Sequence, residues 1–445
     1  MSQTSEALSE RPAEAGPRFG ALRNLAGKRG LRSYLTIVFF SGLTSAMSFL
    51  TTVVVARKLG PSEFGRFAVF YSIFQMTWTA TNFGDSTYVR FANTHPGEET
   101  RYLRAAIVIE LAAVGVLASL AYPLARLLSG TVFQDPDYHS VVLAGLVVGG
   151  SMNLLTLVAA IYQAKQRYLQ YSLVATTFYG LILVLVGSTA LAVTHLSVDM
   201  VVRFYVVVGL VLFVGSLGWL RRAVGRIRFE RETIRSFLSF SRFLIGANVA
   251  YVLYQRMDVI FVARYTSRFE VGQYGVALRV AVLASLFTGS LAPFLLPQAA
   301  RTKGSDVELA RYLRRAAVLS ASLLAIVFTL WLAVPVVTHV LFGDAYRRAV
   351  PLCRVLLLAT ACIAVYTPLS QLFLAEDRPK ASLHLGLTKL VSTTVLLLLL
   401  AGRYGAIGCA SAVACSEVVT AGYVVWSLRA KLRRAAPHLA RARPA

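Results

Sequence analysis

Blocks of about twenty apolar residues recur twelve times along this chain, and a block apolar on every side has few places to go. It is either the centre of a very large core or a helix crossing a lipid bilayer, which takes about 20 residues. The blocks run near 34–56, 67–84, 105–127, 141–161, 171–193, 203–220, 241–263, 273–296, 317–340, 352–374, 381–401 and 404–428. Of the 445 residues 56% are hydrophobic and only 15% charged, against about a quarter charged in soluble domains. A soluble helical protein shows apolar stripes rather than all-round blocks. The expected fold class is therefore an all-α polytopic membrane protein with about twelve transmembrane helices.

The net charge of +24 reads first as topology, not as nucleic-acid binding, because Lys and Arg collect in cytoplasmic loops. With the N-terminus inside, 32 of the 45 basic residues fall on cytoplasmic segments and 12 on outer ones. Both termini are thus expected in the cytoplasm. Residues 1–33 read as a polar, basic tail without a signal-peptide core, and 429–445 as a second basic tail. Arg221, Arg222, Arg226, Arg228, Arg231 and Arg235 mark residues 221–240 as a basic linker held at anionic lipid. The linker separates two expected bundles of six helices, 34–220 and 241–428.

The halves share a register. Val55-Ala56-Arg57-Lys58-Leu59-Gly60-Pro61-Ser62-Glu63-Phe64-Gly65 is echoed 207 residues later by Val262-Ala263-Arg264-Tyr265-Thr266-Ser267-Arg268-Phe269-Glu270-Val271-Gly272. At the same offset Ser41, Thr44, Ser48 and Thr51 of span one fall on Asn248, Tyr251, Gln255 and Asp258 of span seven. Spacings of three and four place each set on one helix face. Span two adds Ser72, Gln75, Thr79 and Asn82, with Ser72 matching Arg279 on span eight. Six spans separate the two motifs, so the repeat is parallel, about an axis along the membrane normal. Polar faces avoid lipid, so spans one, two, seven and eight are expected to line a shared central cavity. Hydroxyl and amide residues that merely join packed helices are the plainer alternative.

Charges inside spans cost roughly 2.5–3.5 kcal/mol each on insertion scales. Arg256 and Arg279 are candidates for a cationic, phosphate-binding lining, since the guanidinium fork matches phosphate oxygens. Lys389 and Arg90 could extend it, although Arg90 also suits a lipid headgroup. Asp258 is placed to pair with Arg279 or Arg256. Asp258, Glu417, Glu110 and Asp85 are the candidates for ion coupling or charge pairing. Pro293, Pro297, Pro335 and Pro368 can kink their helices.

Other chemistry finds no support. The four cysteines (Cys353, Cys362, Cys409, Cys415) lack metal or redox spacing and read as small packing residues. His139, His195, His339 and His384 are scattered. Neither a nucleotide-binding loop nor a zinc motif occurs, so no metal and no cofactor is expected. No connection is long enough for a catalytic domain.

The chain resembles the bacterial polysaccharide-transporter flippases of the multidrug/oligosaccharidyl-lipid/polysaccharide superfamily. The resemblance rests on the Val55–Gly65 stretch, on Asn82-Phe83-Gly84-Asp85 followed by Tyr88-Val89-Arg90, and on Arg256-Met257-Asp258 leading to Gly272-Gln273-Tyr274 and Ala277-Leu278-Arg279. It implies two six-helix bundles in a V around a central cavity. It also implies translocation of an undecaprenyl-pyrophosphate-linked glycan across the bacterial cytoplasmic (inner) membrane by alternating access, driven by H+ or Na+. Implied partners are the lipid-linked glycan, anionic lipids, the coupling ion and an envelope glycan polymerase. Not an enzyme but a transporter is expected. Alternatives are a multidrug antiporter of the same fold, disfavoured by a basic cavity; a major-facilitator carrier, whose motif is absent from Phe91 to Arg104; a membrane glycan polymerase or ligase; and a non-transporting scaffold.

Overall fold

The computed structural model describes residues 17–225, 230–289, 305–375 and 379–441, with a few positions between 295 and 302. Eleven α-helices are described: α1 (Pro17–Thr81), α2 (Gly84–Thr94), α3 (Glu99–Leu127), α4 (Tyr138–Ala164), α5 (Tyr168–Ala192), α6 (Val198–Val224), α7 (Arg231–Tyr265), α8 (Arg268–Gly289), α9 (Asp306–Phe342), α10 (Ala349–Ala375) and α11 (Pro379–Arg441). No strand occurs among the described residues.

Two helices are broken by a glycine. In α1 Gly60 has φ 72° and ψ 172°, a conformation L side chains avoid. Pro61 disfavours a helical residue before it and suits the first position of the helix that follows. The opening motif is therefore a turn between two helical segments. Gly405 (φ 56°) breaks α11 in the same way.

Eight helical stretches among the described residues are long and apolar enough to cross a membrane. Two of these, Leu35–Thr94 and His384–Arg429, run to 60 and 46 residues, room for two crossings each. Expected spans seven and eight fall on α7 and α8, outside that set, because Asn248, Gln255, Arg256, Asp258 and Arg279 interrupt their apolar runs. Large aliphatic side chains stand exposed on helix flanks, Val184, Val211 and Leu398 among them; in a chain with these spans such faces meet lipid. The protein is a multi-pass membrane protein.

The ends of the expected segments shift. α1 begins at Pro17, so the helix reaches back into the expected tail. Most of the expected linker is helical: α6 ends at Val224 and α7 starts at Arg231. Its arginines and glutamates are good helix formers. Two arginines of α3 fasten what remains: Arg104 donates to the Val224 carbonyl (3.0 Å) and Arg101 pairs with Glu230 (2.5 Å). Pro335 and Pro368 lie inside α9 and α10; Pro293 and Pro297 fall outside the described residues. The cysteines are free, and Cys353 and Cys409 pack in the core as expected, but Cys415 is exposed.

The second segment of α1 is the spine of the core. It packs against α4, α5 and α8. Phe67, Phe70, Tyr71 and Phe74 repeat at helical spacing and interlock with Phe178 of α5 and Tyr205 of α6. Elsewhere α11 packs on α10 and α7, and α8 on α10.

The two copies of the motif touch each other. A methyl built on Gly65 would stand 2.1 Å from the carbonyl oxygen of Arg268, and one on Gly272 would stand 1.9 Å from that of Pro61. Under the 207-residue offset these are one contact seen from both sides, since Pro61 maps to Arg268 and Gly65 to Gly272. Ala68 and its equivalent Gly275 also meet, a methyl on Gly275 lying 2.9 Å from the Ala68 Cβ.

Candidate functional site

One turn below this backbone contact, α1, α5, α7 and α8 enclose a cavity of about 180 Å³. It is lined by Thr44, Ser48, Tyr71, Gln75, Arg256 and Arg279, together with Ser45, Phe49, Tyr179, Val282 and Leu283. A narrow extension of about 20 Å³ reaches Ser72 and the Phe64–Ala68 wall beneath the paired glycines.

A chain of hydrogen bonds runs along its wall. The Arg256 guanidinium Nη2 donates to Gln75 Oε1 at 2.7 Å. Gln75 Nε2 donates to the Tyr71 hydroxyl at 2.9 Å. The Tyr71 hydroxyl lies 3.2 Å from Ser48 Oγ. The order of the first two donors follows from chemistry: arginine has no acceptor, so Gln75 turns its oxygen toward it and its NH2 toward the Tyr71 hydroxyl. The Arg279 guanidinium lies over the Tyr71 ring, 4.0 Å from its centroid, a cation–π contact. Thr44 is bonded to Thr176 of α5 at 2.9 Å. Among the described residues, neither Arg256 nor Arg279 forms a salt bridge. Two guanidiniums line this cavity, and no carboxylate is among its lining residues.

Asp258 does not supply the pairing that its place in the sequence allowed. It is buried, and its carboxylate accepts from Tyr274 (2.7 Å) and from the Val259 amide (2.8 Å). Two residues along a helix is a turn of roughly 200°, so Asp258 and Arg256 sit on opposed faces of α7.

The other candidate charges are sorted into separate places. Lys389 lies outside the cavity and forms a buried pair with Glu417 at 2.9 Å, over the rings of Tyr254 and Tyr366. Tyr366 donates to the second Glu417 oxygen at 2.8 Å. The turn at Gly405, between the two expected spans, brings the two segments of α11 together, so Glu417 takes the charge-pairing alternative and Lys389 is not part of the cavity lining. Arg90 is exposed and stacks over Phe240 at 3.9 Å, away from the cavity. Glu110 is buried in α3, where its Oε1 accepts the Gly84 amide (2.9 Å) at the start of α2; its Oε2 has no hydrogen-bond partner. Asp85, in the first turn of the same helix, accepts from the Ser86 amide.

The polar stripes divide likewise. Thr44, Ser48, Ser72 and Gln75 face the cavity and its extension. Thr51 is buried against the Met47 carbonyl, and Ser41 is exposed. Asn82 and Asn248 join α1 to α7 through the Asn82 carbonyl (2.9 Å). Gln255 donates to Tyr251 (2.7 Å), both outside the cavity wall, and Thr79 is partly buried outside it too. Tyr71 and Tyr179 were missed, since an aromatic in an apolar run reads as core. The signal for Tyr71 was its position four residues before Gln75.

The motif side of the molecule is closed by charge. Arg268, at the start of α8, binds both oxygens of Asp135 at 2.7 Å and reaches Asp137 at 2.6 Å. The Arg268 guanidinium holds the Asp135 carboxyl below its usual range. Arg66 pairs with Glu63 (3.3 Å) and Asp199 (3.4 Å).

Known proteins share this architecture. A curated relative from Haloferax volcanii, "Probable low-salt glycan biosynthesis flippase Agl15", is 19% identical over 398 residues, spanning 88% of this chain and 81% of its own. The structure of the lipid II flippase MurJ in an inward closed conformation aligns with TM-score 0.73 and 14% identity, covering 91% of each chain. An inward-facing multidrug resistance transporter of the MATE family, in the MOP superfamily, aligns with TM-score 0.69 and 13% identity, covering 90% of this chain and 96% of its own. These relatives are flippases and transporters, not enzymes. Residues 54–351 match the family described as polysaccharide biosynthesis protein. With two-thirds of its length in that match, the chain belongs to the polysaccharide biosynthesis protein family.

Proposed function

We propose that this protein is a flippase that moves a lipid-linked glycan, joined to its undecaprenyl carrier by a diphosphate, across a bacterial cytoplasmic membrane. The carrying observation is the pair of guanidiniums, Arg256 and Arg279, lining one cavity between α1 and α7–α8 whose wall holds no carboxylate. A diphosphate is the part of such a cargo that crosses lipid least readily. Arginine forks bind phosphate oxygens in pairs and stay charged when partly desolvated. The names of two relatives, one a glycan biosynthesis flippase and one a lipid II flippase, and the family match support the same cargo class.

In this reading the chain has twelve crossings in two bundles, 34–220 and 241–428, related by a parallel two-fold. The reciprocal Gly65–Arg268 and Gly272–Pro61 contacts support that symmetry. Both termini face the cytoplasm, so the repeated turns and the Arg268–Asp135 clamp close the outer face. Opening means parting the two turns while the helix pairs below move apart, an alternating-access cycle.

Ion-gradient driving, with H+ or Na+, belongs to this proposal. Glu417 and Asp258 have their oxygens engaged, whereas Glu110 carries a buried oxygen without a partner. Glu110 is therefore the preferred coupling carboxylate, with Asp85 beside it. Anionic lipid at the arginine-rich inner ends and an envelope glycan polymerase are the proposed further partners.

The test is exposure of lipid-linked glycan on the outer leaflet in cells carrying Arg279→Ala at normal protein level. Exposure should fall at least tenfold. Unchanged exposure would remove Arg279 from the site.

A further inference from the structure

We infer that Gln75 is a positioning and specificity-determining residue: its amide oxygen occupies the Arg256 donor that a cargo phosphate oxygen must take over. This inference rests on the diphosphate reading above. Arg256 Nη2 donates to Gln75 Oε1 at 2.7 Å. That oxygen is held in place from behind, because Gln75 Nε2 is fixed on the Tyr71 hydroxyl (2.9 Å) and Tyr71 on Ser48 (3.2 Å). The amide cannot turn over without setting an NH2 group against a guanidinium. Tyr71 also carries Arg279 on its ring face at 4.0 Å. Ser48, Tyr71 and Gln75 all belong to α1, while Arg256 and Arg279 belong to α7 and α8. One stretch of the first half thus indexes both cations of the second half.

The choice of a neutral acceptor matters. A phosphate oxygen brings a full negative charge and a bidentate match to the guanidinium fork, which an uncharged amide oxygen does not. An anionic diphosphate displaces an amide oxygen; a neutral sugar or a cationic amphiphile does not. Glutamate at this position would fix Arg256 in a salt bridge and compete with the cargo as an equal. Glutamine therefore keeps the arginine ordered and yet exchangeable, and makes release of the α1–α7 link depend on an anion.

The experiment uses the purified full chain in detergent and inorganic pyrophosphate as the probe, with affinity from calorimetry and melting temperature measured with and without probe. Wild type binds pyrophosphate, and Arg256→Ala weakens it at least tenfold. Gln75→Glu raises the melting temperature without probe and weakens pyrophosphate at least tenfold. Gln75→Ala lowers the melting temperature without probe while holding or improving the affinity. A merely structural Gln75 gives the opposite pattern: alanine loses affinity along with stability, and glutamate binds like wild type, and either result overturns the inference. If Gln75→Glu does not fold, the alanine variant decides alone. Absence of pyrophosphate binding by wild type overturns the diphosphate reading, and this inference with it. Wild-type binding with an unaffected Gln75→Glu overturns this inference only.

Discussion

Replacing Gly272 by alanine puts a methyl 1.9 Å from the carbonyl oxygen of Pro61 and 2.8 Å from its carbon. The neighbour is backbone, so no side-chain rotation relieves the clash. Carbon and oxygen settle at about 3.3 Å, so the two turns must part by about 1.4 Å. Overpacking of this size costs about 1–3 kcal/mol. The cost falls only on the state in which the turns touch, so the closed-to-open ratio on this face should drop by about 5–150-fold. The assay is labelling of Ser48→Cys, a cavity residue, by an impermeant maleimide added outside cells, in a background lacking the four native cysteines. The rate should rise about tenfold or more for Gly272→Ala. Gly42→Ala is the control, because a methyl there meets nothing within 4 Å. A Gly272→Ala variant that is inserted normally and labels like wild type would refute the claim that this contact is the outer closure.

The same closure has a pH signature. Asp135 is held below its ordinary value of 3.8 by its bonds to Arg268. A depressed carboxyl stabilises the clamp above that ordinary value and loses its contribution as pH falls through the lowered one. External labelling of Ser48→Cys should therefore climb only in that acidic window, and Asp135→Asn should label fast at every pH. Glu417→Gln strands the buried Lys389 ammonium, which should destabilise by about 3–5 kcal/mol, whereas Lys389→Met with Glu417→Leu should recover most of the loss; melting in detergent reads both. Gly84→Ala would push a methyl to 2.2 Å from the Glu110 carboxylate. It should break the bond from the Gly84 amide to Glu110 and lower the melting temperature, with partial recovery in Gly84→Ala/Glu110→Ala.

The apolar blocks placed most of the helices, because a bilayer leaves a run of twenty apolar residues little choice. The 207-residue register marked the two turns that meet in the fold, and Gly60 and Pro61 announced the break in α1 by their backbone preferences alone. What sequence could not carry was rotation. Arg256 and Asp258 are two residues apart, and only the packing of α7 against α8 shows one on the cavity and the other on Tyr274. Lys389 and Glu417 stand 28 positions apart on two expected spans, and only the packing of the segments on either side of Gly405 shows that they pair with each other, at 2.9 Å. Tyr71 was hidden for a different reason: its ring is core and its hydroxyl is site, and composition records only the first.

The central claim is that Arg256 and Arg279 carry a diphosphate-linked glycan across the membrane. The most direct measurement is flux in proteoliposomes holding a fluorescent undecaprenyl-diphosphate oligosaccharide, read as quenching of the label by a reagent confined to the outside. The full chain should move the lipid, a pyrophosphate-free neutral glycolipid should stay put, and Arg256→Ala/Arg279→Ala should fall to the protein-free rate. Equal flux by the double variant, or equal transport of the neutral glycolipid, would contradict the account.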